Sequence, residues 1–421
     1  MKLRGLANSQ VPQLLSHQPK CEEMTLESPD FEAAIAFAQD LIRIPGLPGA
    51  EGGVARRVLE ELRKLRFHDA WTDEAGNVIG VIRGHGGGPS VMLNCHLDSV
   101  DPGDPDQWEH HPYQAVLERG FLHGRGSLDI KGPLALQTHA AARFVDERPA
   151  GDVIVAHTVL EERGGWGMDH LMSRGEVRPD AIIIGEVTGG DICIGHRGRA
   201  EIIVEIHGEA AHASMPDRGL NPLCTLSAVL PALQDYAARL PAHPVLGKST
   251  LVPTSIACSP SSPNVIPDRV TLILDWRTLP DSCTDRFPAT LQRYFDQVLN
   301  LSGDYRINVR FSTVSQTTYT GLSQERRLLT PSFLLGERHP MVLAAVDAVR
   351  SSTGVEPRVR HWEFASDGGH SCGKYGVPTV GFAPGDEGLI HTNRERLDLQ
   401  EARIAFHAYS RIINAVQSAL G

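Results

Sequence analysis

The chain has no Cys-x-x-Cys pair, and its seven cysteines (Cys21, Cys95, Cys193, Cys224, Cys258, Cys283 and Cys372) are scattered and odd in number. That argues against a disulfide framework and for reduced thiols in a cytoplasm. Long apolar runs are missing too: none approaches the ~18 residues that a membrane-spanning helix needs. Positive charge is short, with 40 Lys and Arg against 51 Asp and Glu and a net charge of −11. Nucleic acids and anionic membrane surfaces favour basic patches, so neither is an expected partner. There is no internal repeat and no low-complexity segment. The first 20 residues carry two early positive charges but no continuous apolar stretch, unlike a secretory signal. Residues 1–28 read as a poorly structured extension.

What remains is an ordinary soluble composition. Apolar residues make up 41% of the 421, enough for a core, and the length suggests two or three domains. Ser28-Pro29 reads as a helix start, Ser capping and Pro at the first helical position, with Phe31, Ile35, Ala38 and Leu41 at helical spacing. A second helix follows Gly52-Gly53, with Val54, Val58, Leu62 and Leu65 on one face. Residues 77–82 and 91–95 read as strands, and Pro133 to about Val145 as a helix. Residues 153–160 and 181–184 are short apolar runs of the kind that form strands covered on both faces. Strands and helices alternate, which is the α/β signature.

Three of these strands end in potential ligands: His96, Glu161-Glu162 and Glu186. In open α/β sheets, ligands bind beyond the carboxyl ends of the strands. From about Gly198 the pattern changes. Strands near 200–207, 249–259, 269–278 and 305–312 and helices near 222–240 and 284–299 follow in the order β-α-β-β-α-β, the ferredoxin-like arrangement. That module is expected as an insertion at 198–313, between two parts of one catalytic domain at 29–197 and 314–421. The second part holds a helix near 340–349, a strand near 378–382, a loop to His391 and a closing helix over 399–420.

Hard oxygen ligands, imidazoles and one bridging carboxylate are what a two-metal hydrolase needs. On a strand, residues i and i+2 point the same way, so Asp98 is expected to orient the His96 ring. Asp129 sits in a glycine-rich loop that permits tight turns and suits a bridging carboxylate. Adjacent acids point differently, so of Glu161 and Glu162 one can bind metal while the other serves as general base.

The motifs HLDSVDPGDPDQW from His96, GRGSLDIKG, LEERGG around Glu161, IIIGEVT around Glu186, AAHASMPDRGLNP around His212 and GFAPGDEGLIHTNRERLD around His391 occur in this order. With them the chain resembles, from about residue 30 to 420, the co-catalytic zinc metallopeptidase and deacylase family. That family includes acetylornithine deacetylase, succinyl-diaminopimelate desuccinylase, aminoacylase and glutamate carboxypeptidase. GHRGRAEI and SDGGHSCGKYGVP look most like an acetylornithine-deacetylase-like branch. The resemblance implies a zinc-exopeptidase-like α/β catalytic domain with a mixed, mostly parallel sheet, and an inserted ferredoxin-like α+β lid and dimerisation domain.

It also implies roles. His96, Asp129 and Glu186 would bind one zinc, and Asp129, Glu162 and His391 the other, with cobalt or manganese as alternative metals. Asp98 would support His96. Glu161 would take a proton from water and deliver it to the leaving amine. His212 would stabilise the oxyanion, reaching across a homodimer. Arg277 and Asn264 would bind a substrate carboxylate, with Gly368 and Gly369 of the SDGG stretch beside the substrate. His370 lies outside the usual ligand set. The expected activity is cleavage of N-acyl amino acids; an exopeptidase acting on short peptides is the alternative, and a non-catalytic ligand-binding relative the remote one. The GRGSLDIKG loop favours a deacylase over a carbamoyl-amino-acid hydrolase. Ile130 and Thr392-Asn393-Arg394 depart from the family pattern, at Met and Thr-Pro positions.

Overall fold

The computed structural model describes residues 29–280, 282, 284–300 and 304–421. The extension 1–28, with the expected cap Ser28, lies outside the described residues. The first helix, Pro29–Ile42, buries Phe31, Ile35, Ala38 and Leu41, the residues that share its apolar face. The second, Gly52–Lys64, places Arg63 and Lys64 in its last turn, against the negative end of the helix dipole.

A nine-stranded sheet organises the larger part of the chain. Its order begins with Asp69–Thr72, Val78–Ile82, Val153–Thr158, Val91–His96 and Ala181–Ile184. It continues through Thr379–Gly381 and Ile192–His196 to Phe333–Leu334, and Val359–Trp362 also pairs with Ile192–His196. The four strands at its centre run parallel, and the flank pairings are antiparallel except that Val359–Trp362 runs parallel to Ile192–His196. Every residue of Val91–His96, Val153–Thr158 and Ala181–Ile184 is buried. Val91 and Leu93 join the core beneath the helices Lys131–Ala142, Pro340–Thr353 and Leu399–Leu420, whereas Met92 faces the opposite layer with Met168 and Leu171. A strand covered on both faces has no solvent side to alternate toward, which explains the unbroken apolar runs.

Two expected boundaries move. The strand expected over 153–160 stops at Thr158, because Leu160 takes a left-handed backbone (φ 55). Glu161-Glu162 therefore sits on a short 3-10 turn, Glu161–Arg163, which begins three residues past the strand's last residue. The helix expected from Pro133 to Val145 begins at Lys131 and is broken after Ala142, with a separate short helix at Phe144–Glu147.

The smaller sheet has the order Thr250–Ser259, Arg269–Thr278, Gly198–His207, Arg306–Phe311, all antiparallel, with Leu329–Thr330 added to Gly198–His207. Ala200, Ile202, Val204 and Ile206 point inward to the helices Leu226–Ala238 and Phe287–Val298, where Trp276 stacks on Phe287 at 3.6 Å. This is the β-α-β-β-α-β order with its own apolar core. Its outer strand, Thr250–Ser259, leaves Val252 and Ile256 about half exposed. No helix among the described residues is long and apolar enough to cross a membrane.

Candidate metal centre

The strands that end at His96, before Glu161-Glu162 and before Glu186 are immediate neighbours in the sheet and parallel. Their carboxyl ends therefore open onto one edge. The next strand, Thr379–Gly381, runs parallel with them and leads to the loop that carries His391. Glycine at 185 is demanded by packing, since a side-chain carbon there would lie 2.4 Å from Cys95 Sγ.

Asp129 stands at the centre of what these strands deliver. Its Oδ1 lies 3.0 Å from His96 Nε2 and its Oδ2 lies 2.9 Å from His391 Nε2. Glu186 Oε1 is 3.5 Å from His96 Nε2, and Glu162 Oε1 is 3.0 Å from His391 Nε2. One ligand atom each of His96, Asp129 and Glu162 lie within 4.8 Å of one another, as do those of His96, Glu161 and Glu186. The side chain of His96 is 2% exposed and that of His391 47%, so the cluster is closed on the first side and open on the second.

Among the described residues, the carboxylate of Glu161 makes no hydrogen bond and no ion pair, while that of its neighbour Glu162 is engaged by His391. Burial pushes the Glu161 carboxyl well above its ordinary range, and the negative charges of Glu186 and Asp367 add to the effect. Burial likewise raises Glu186 to about 7. Against the burial that opposes it, hydrogen bonds from His391 and His96 hold Asp129 below the usual carboxylate range. His391 is raised to about 10 by Asp129 and Glu162. No Lys or Arg among the described residues pairs with Asp129, Glu161, Glu162 or Glu186. Crowded carboxylates and two imidazoles, with no Lys or Arg among the described residues paired to them, form a donor set suited to divalent metal ions.

Asp98 stands beside the His96 ring and also holds a second element. The strand ends at His96, so the i, i+2 rule does not extend to Asp98. Its backbone carbonyl, 2.8 Å away, takes the His96 Nδ1 hydrogen, and its carboxylate oxygen stands 3.6 Å off. That carboxylate accepts the backbone N–H groups of Glu161 and Glu162, each at 3.1 Å, and so holds the Glu161-Glu162 turn as well.

The remaining expected residues are not joined to the cluster by any hydrogen bond or ion pair among the described residues. His212 is exposed, and its Nδ1 meets Ser214 Oγ at 2.7 Å. Asn264 is exposed and bonds Ser262. Arg277 is half-buried, its Nε on Asp275 at 2.8 Å. Gly368 and Gly369 have packing reasons to be glycine: a side-chain carbon would lie 2.4 Å from the Phe333 ring and 2.1 Å from the Pro331 carbonyl, respectively. His370 is buried and donates from Nε2 to the Gly164 carbonyl at 2.9 Å.

Three buried acids near the cluster gave no sequence signal. Glu51 accepts the N–H of Leu160 at 3.1 Å, which supports the left-handed residue before Glu161. Asp367 accepts the Thr158 hydroxyl at 2.6 Å. Glu395 accepts the N–H of Asp129 at 3.0 Å. Glu51 and Glu395 lie among glycines and arginines, where an acid reads as solvated surface.

The sequence profile of peptidase family M20/M25/M40 matches residues 92–415. A Pyrobaculum aerophilum protein named as a LysW-lysine/LysW-ornithine hydrolase is 30% identical over 374 residues, covering 88% of this chain and 94% of the relative. A succinyl-diaminopimelate desuccinylase of Paracoccus denitrificans is 29% identical over 393 residues, covering 89% of this chain and 95% of the relative. Among solved structures, the YxeP protein of Bacillus subtilis, described as a dinuclear metal-binding peptidase of family M20, superposes with a TM-score of 0.67 at 16% identity. It covers 93% of this chain and 99% of that one, a likeness of fold. The profile match spans most of the chain and includes every strand end of the carboxylate and imidazole cluster, so the chain belongs to peptidase family M20/M25/M40, as a metal-binding hydrolase of amide bonds.

Proposed function

We propose that the chain cleaves the amide bond of N-acyl amino acids, with His96, Asp129 and Glu186 holding one divalent cation and Asp129, Glu162 and His391 a second. The observation that carries this reading is the division of labour in the cluster. Asp129 turns one oxygen to each imidazole, as a bridging carboxylate must, and Glu161 is the carboxylate left without a partner. Two cations held there, zinc, cobalt or manganese, supply positive charge that acidifies water and polarises a carbonyl.

The protein's own groups do the rest. Glu161 accepts a proton from the attacking water on its carboxylate and gives it to the leaving nitrogen. Asp98 keeps Glu161 and Glu162 apart by gripping both their N–H groups. A recess of about 300 Å³ lined by Glu162, Arg163, Gly164, Arg199, Glu201 and Thr330 separates the Glu161-Glu162 turn from the smaller sheet. It supports a substrate site between the two sheets, with residues 198–313 acting as a lid. Arg277 spends its Nε on Asp275, which leaves its Nη groups for a substrate carboxylate. His212, bonded to Ser214 and exposed, fits a role in a second copy's site. The free thiols of Cys95, Cys193, Cys224, Cys258 and Cys372 support a cytoplasmic setting.

The test is a panel of N-acetyl, N-succinyl and N-carbamoyl amino acids and dipeptides, read by amine release for wild type and Glu161→Ala. Release from N-acyl amino acids that disappears in the variant is expected. Cleavage confined to peptides moves the assignment to an exopeptidase. No turnover of any member by the metal-loaded wild type counts against the reading.

A further inference from the structure

We infer that Glu395 is a positioning residue that locks the two arms of the second cation subsite together, holding the loop of Asp129 in register with the loop of His391. The inference rests on the two-cation reading above. The Glu395 side chain is buried, and its Oε1 accepts three backbone N–H groups: Gly126 at 3.0 Å, Leu128 at 2.9 Å and Asp129 at 3.0 Å. Its Oε2 pairs with Arg125, itself buried and lying over the Trp108 ring at 5.0 Å.

A loop that turns through left-handed glycines at 124 and 126 has no strand or helix ladder for its N–H groups. Buried N–H groups need acceptors, and here one carboxylate oxygen serves three of them. That carboxylate sits four positions after His391 in the chain. The surrounding segment is stitched to the same region. Arg396–Asp398 pairs with Phe121–His123, Gly124 N–H donates to the Glu395 carbonyl at 3.3 Å, and Asn393 donates to the Gln107 carbonyl at 2.9 Å. His391 reaches Asp129 Oδ2 at 2.9 Å from within this stitched pair of loops.

Without the acceptor, the Asp129 backbone is free to turn and its Oδ2 loses its aim at His391. The first subsite keeps His96 and Glu186 and suffers less. Ion pairing with Arg125 is secondary in this account; the carbonyl-type acceptor is what matters.

The experiment is a Co²⁺ titration of the metal-free full chain, followed by calorimetry and visible absorption. Two double variants each remove the buried ion pair without stranding a charge. Arg125→Gln with Glu395→Gln retains an acceptor at the Oε1 position, and Arg125→Met with Glu395→Met does not. The Met pair is expected to bind the second Co²⁺ about 10–100-fold more weakly than wild type, with its distinct absorption lost, while the first ion changes by less than about threefold. The Gln pair is expected to bind both within about threefold of wild type. Wild-type binding by the Met pair overturns the inference, and so does a Gln pair as impaired as the Met pair. Should circular dichroism show the Met pair unfolded, Glu395→Asp, which retracts the acceptor by one carbon, must weaken the second ion selectively; equal binding overturns the inference. A wild type that takes up fewer than two ions overturns the two-cation reading itself, which is a separate result.

Discussion

The two sheets present their functional residues in opposite ways. At the edge of the larger sheet, His96, Asp129 and Glu186 are at most 5% exposed and already touch one another. In the region 198–313, His212 and Asn264 are exposed and Arg277 is half-buried, and the side chain of each bonds a near neighbour in sequence: Ser214, Ser262 and Asp275. Topology explains the difference. Parallel neighbours bring all their carboxyl ends to one edge, so a donor set assembles within the fold. An antiparallel sheet alternates its ends, so it gathers no such cluster at one edge: His212 lies on the short strand Ala211–His212 and Arg277 on Arg269–Thr278. The larger sheet gathers a donor cluster; completing a substrate site is the part proposed for the smaller region.

The largest effect separating the regions is at Glu161. Glu161→Ala is expected to lower amide turnover by about 10²–10⁴-fold while the far-ultraviolet circular dichroism is unchanged. Next is His212→Ala, expected to cost about 10²–10³-fold in kcat. Here the comparison sharpens: mixing the two inactive variants should restore part of the activity, because one site of a mixed dimer holds an intact Glu161 and a partner's intact imidazole. No recovery on mixing, with dimers shown by sedimentation, places His212 in its own chain's site.

Stability should divide along the same line. Ile183→Ala, in a strand buried on both faces, is expected to cost about 2–5 kcal/mol in denaturant unfolding. Val252→Ala, on the exposed outer strand, should stay within about 0.5 kcal/mol if the strand is uncovered. A larger cost there means that a second copy covers that strand. A further effect lies in acid. Against opposing burial, His370, Lys374 and Arg326 hold Asp169 down at about 2. A carboxyl depressed in the folded state contributes stability above its unfolded value near 3.8, and that stability is lost as pH falls through about 2. Wild type should therefore lose about 2 kcal/mol between those pH values that Asp169→Asn does not.

The strands were legible, with the end of one displaced by two residues, because largely apolar runs such as VIVAHTVL and AIIIG lead into an acid. The β-α-β-β-α-β order was legible from alternation, as in Gly198–His207, where one face packs on helices. What escaped is long-range. Glu395 lies 266 residues from the Asp129 N–H it accepts, and Glu51 lies 109 from that of Leu160, so no local pattern marks either. The hold of Asp98 on the Glu161-Glu162 turn also escaped, because those N–H groups lie more than 60 residues away in the chain. His370 follows the same rule, since its partner Gly164 lies on a distant turn.

The proposed site requires Asp129 to join two cations and Glu161 to hold neither. Metal content per chain after exhaustive dialysis of the zinc-loaded protein tests it directly, compared among wild type, Glu161→Ala and Asp129→Ala. Two ions are expected in wild type, two in Glu161→Ala and none retained in Asp129→Ala. Two ions kept by Asp129→Ala, or an ion lost from Glu161→Ala, would contradict it.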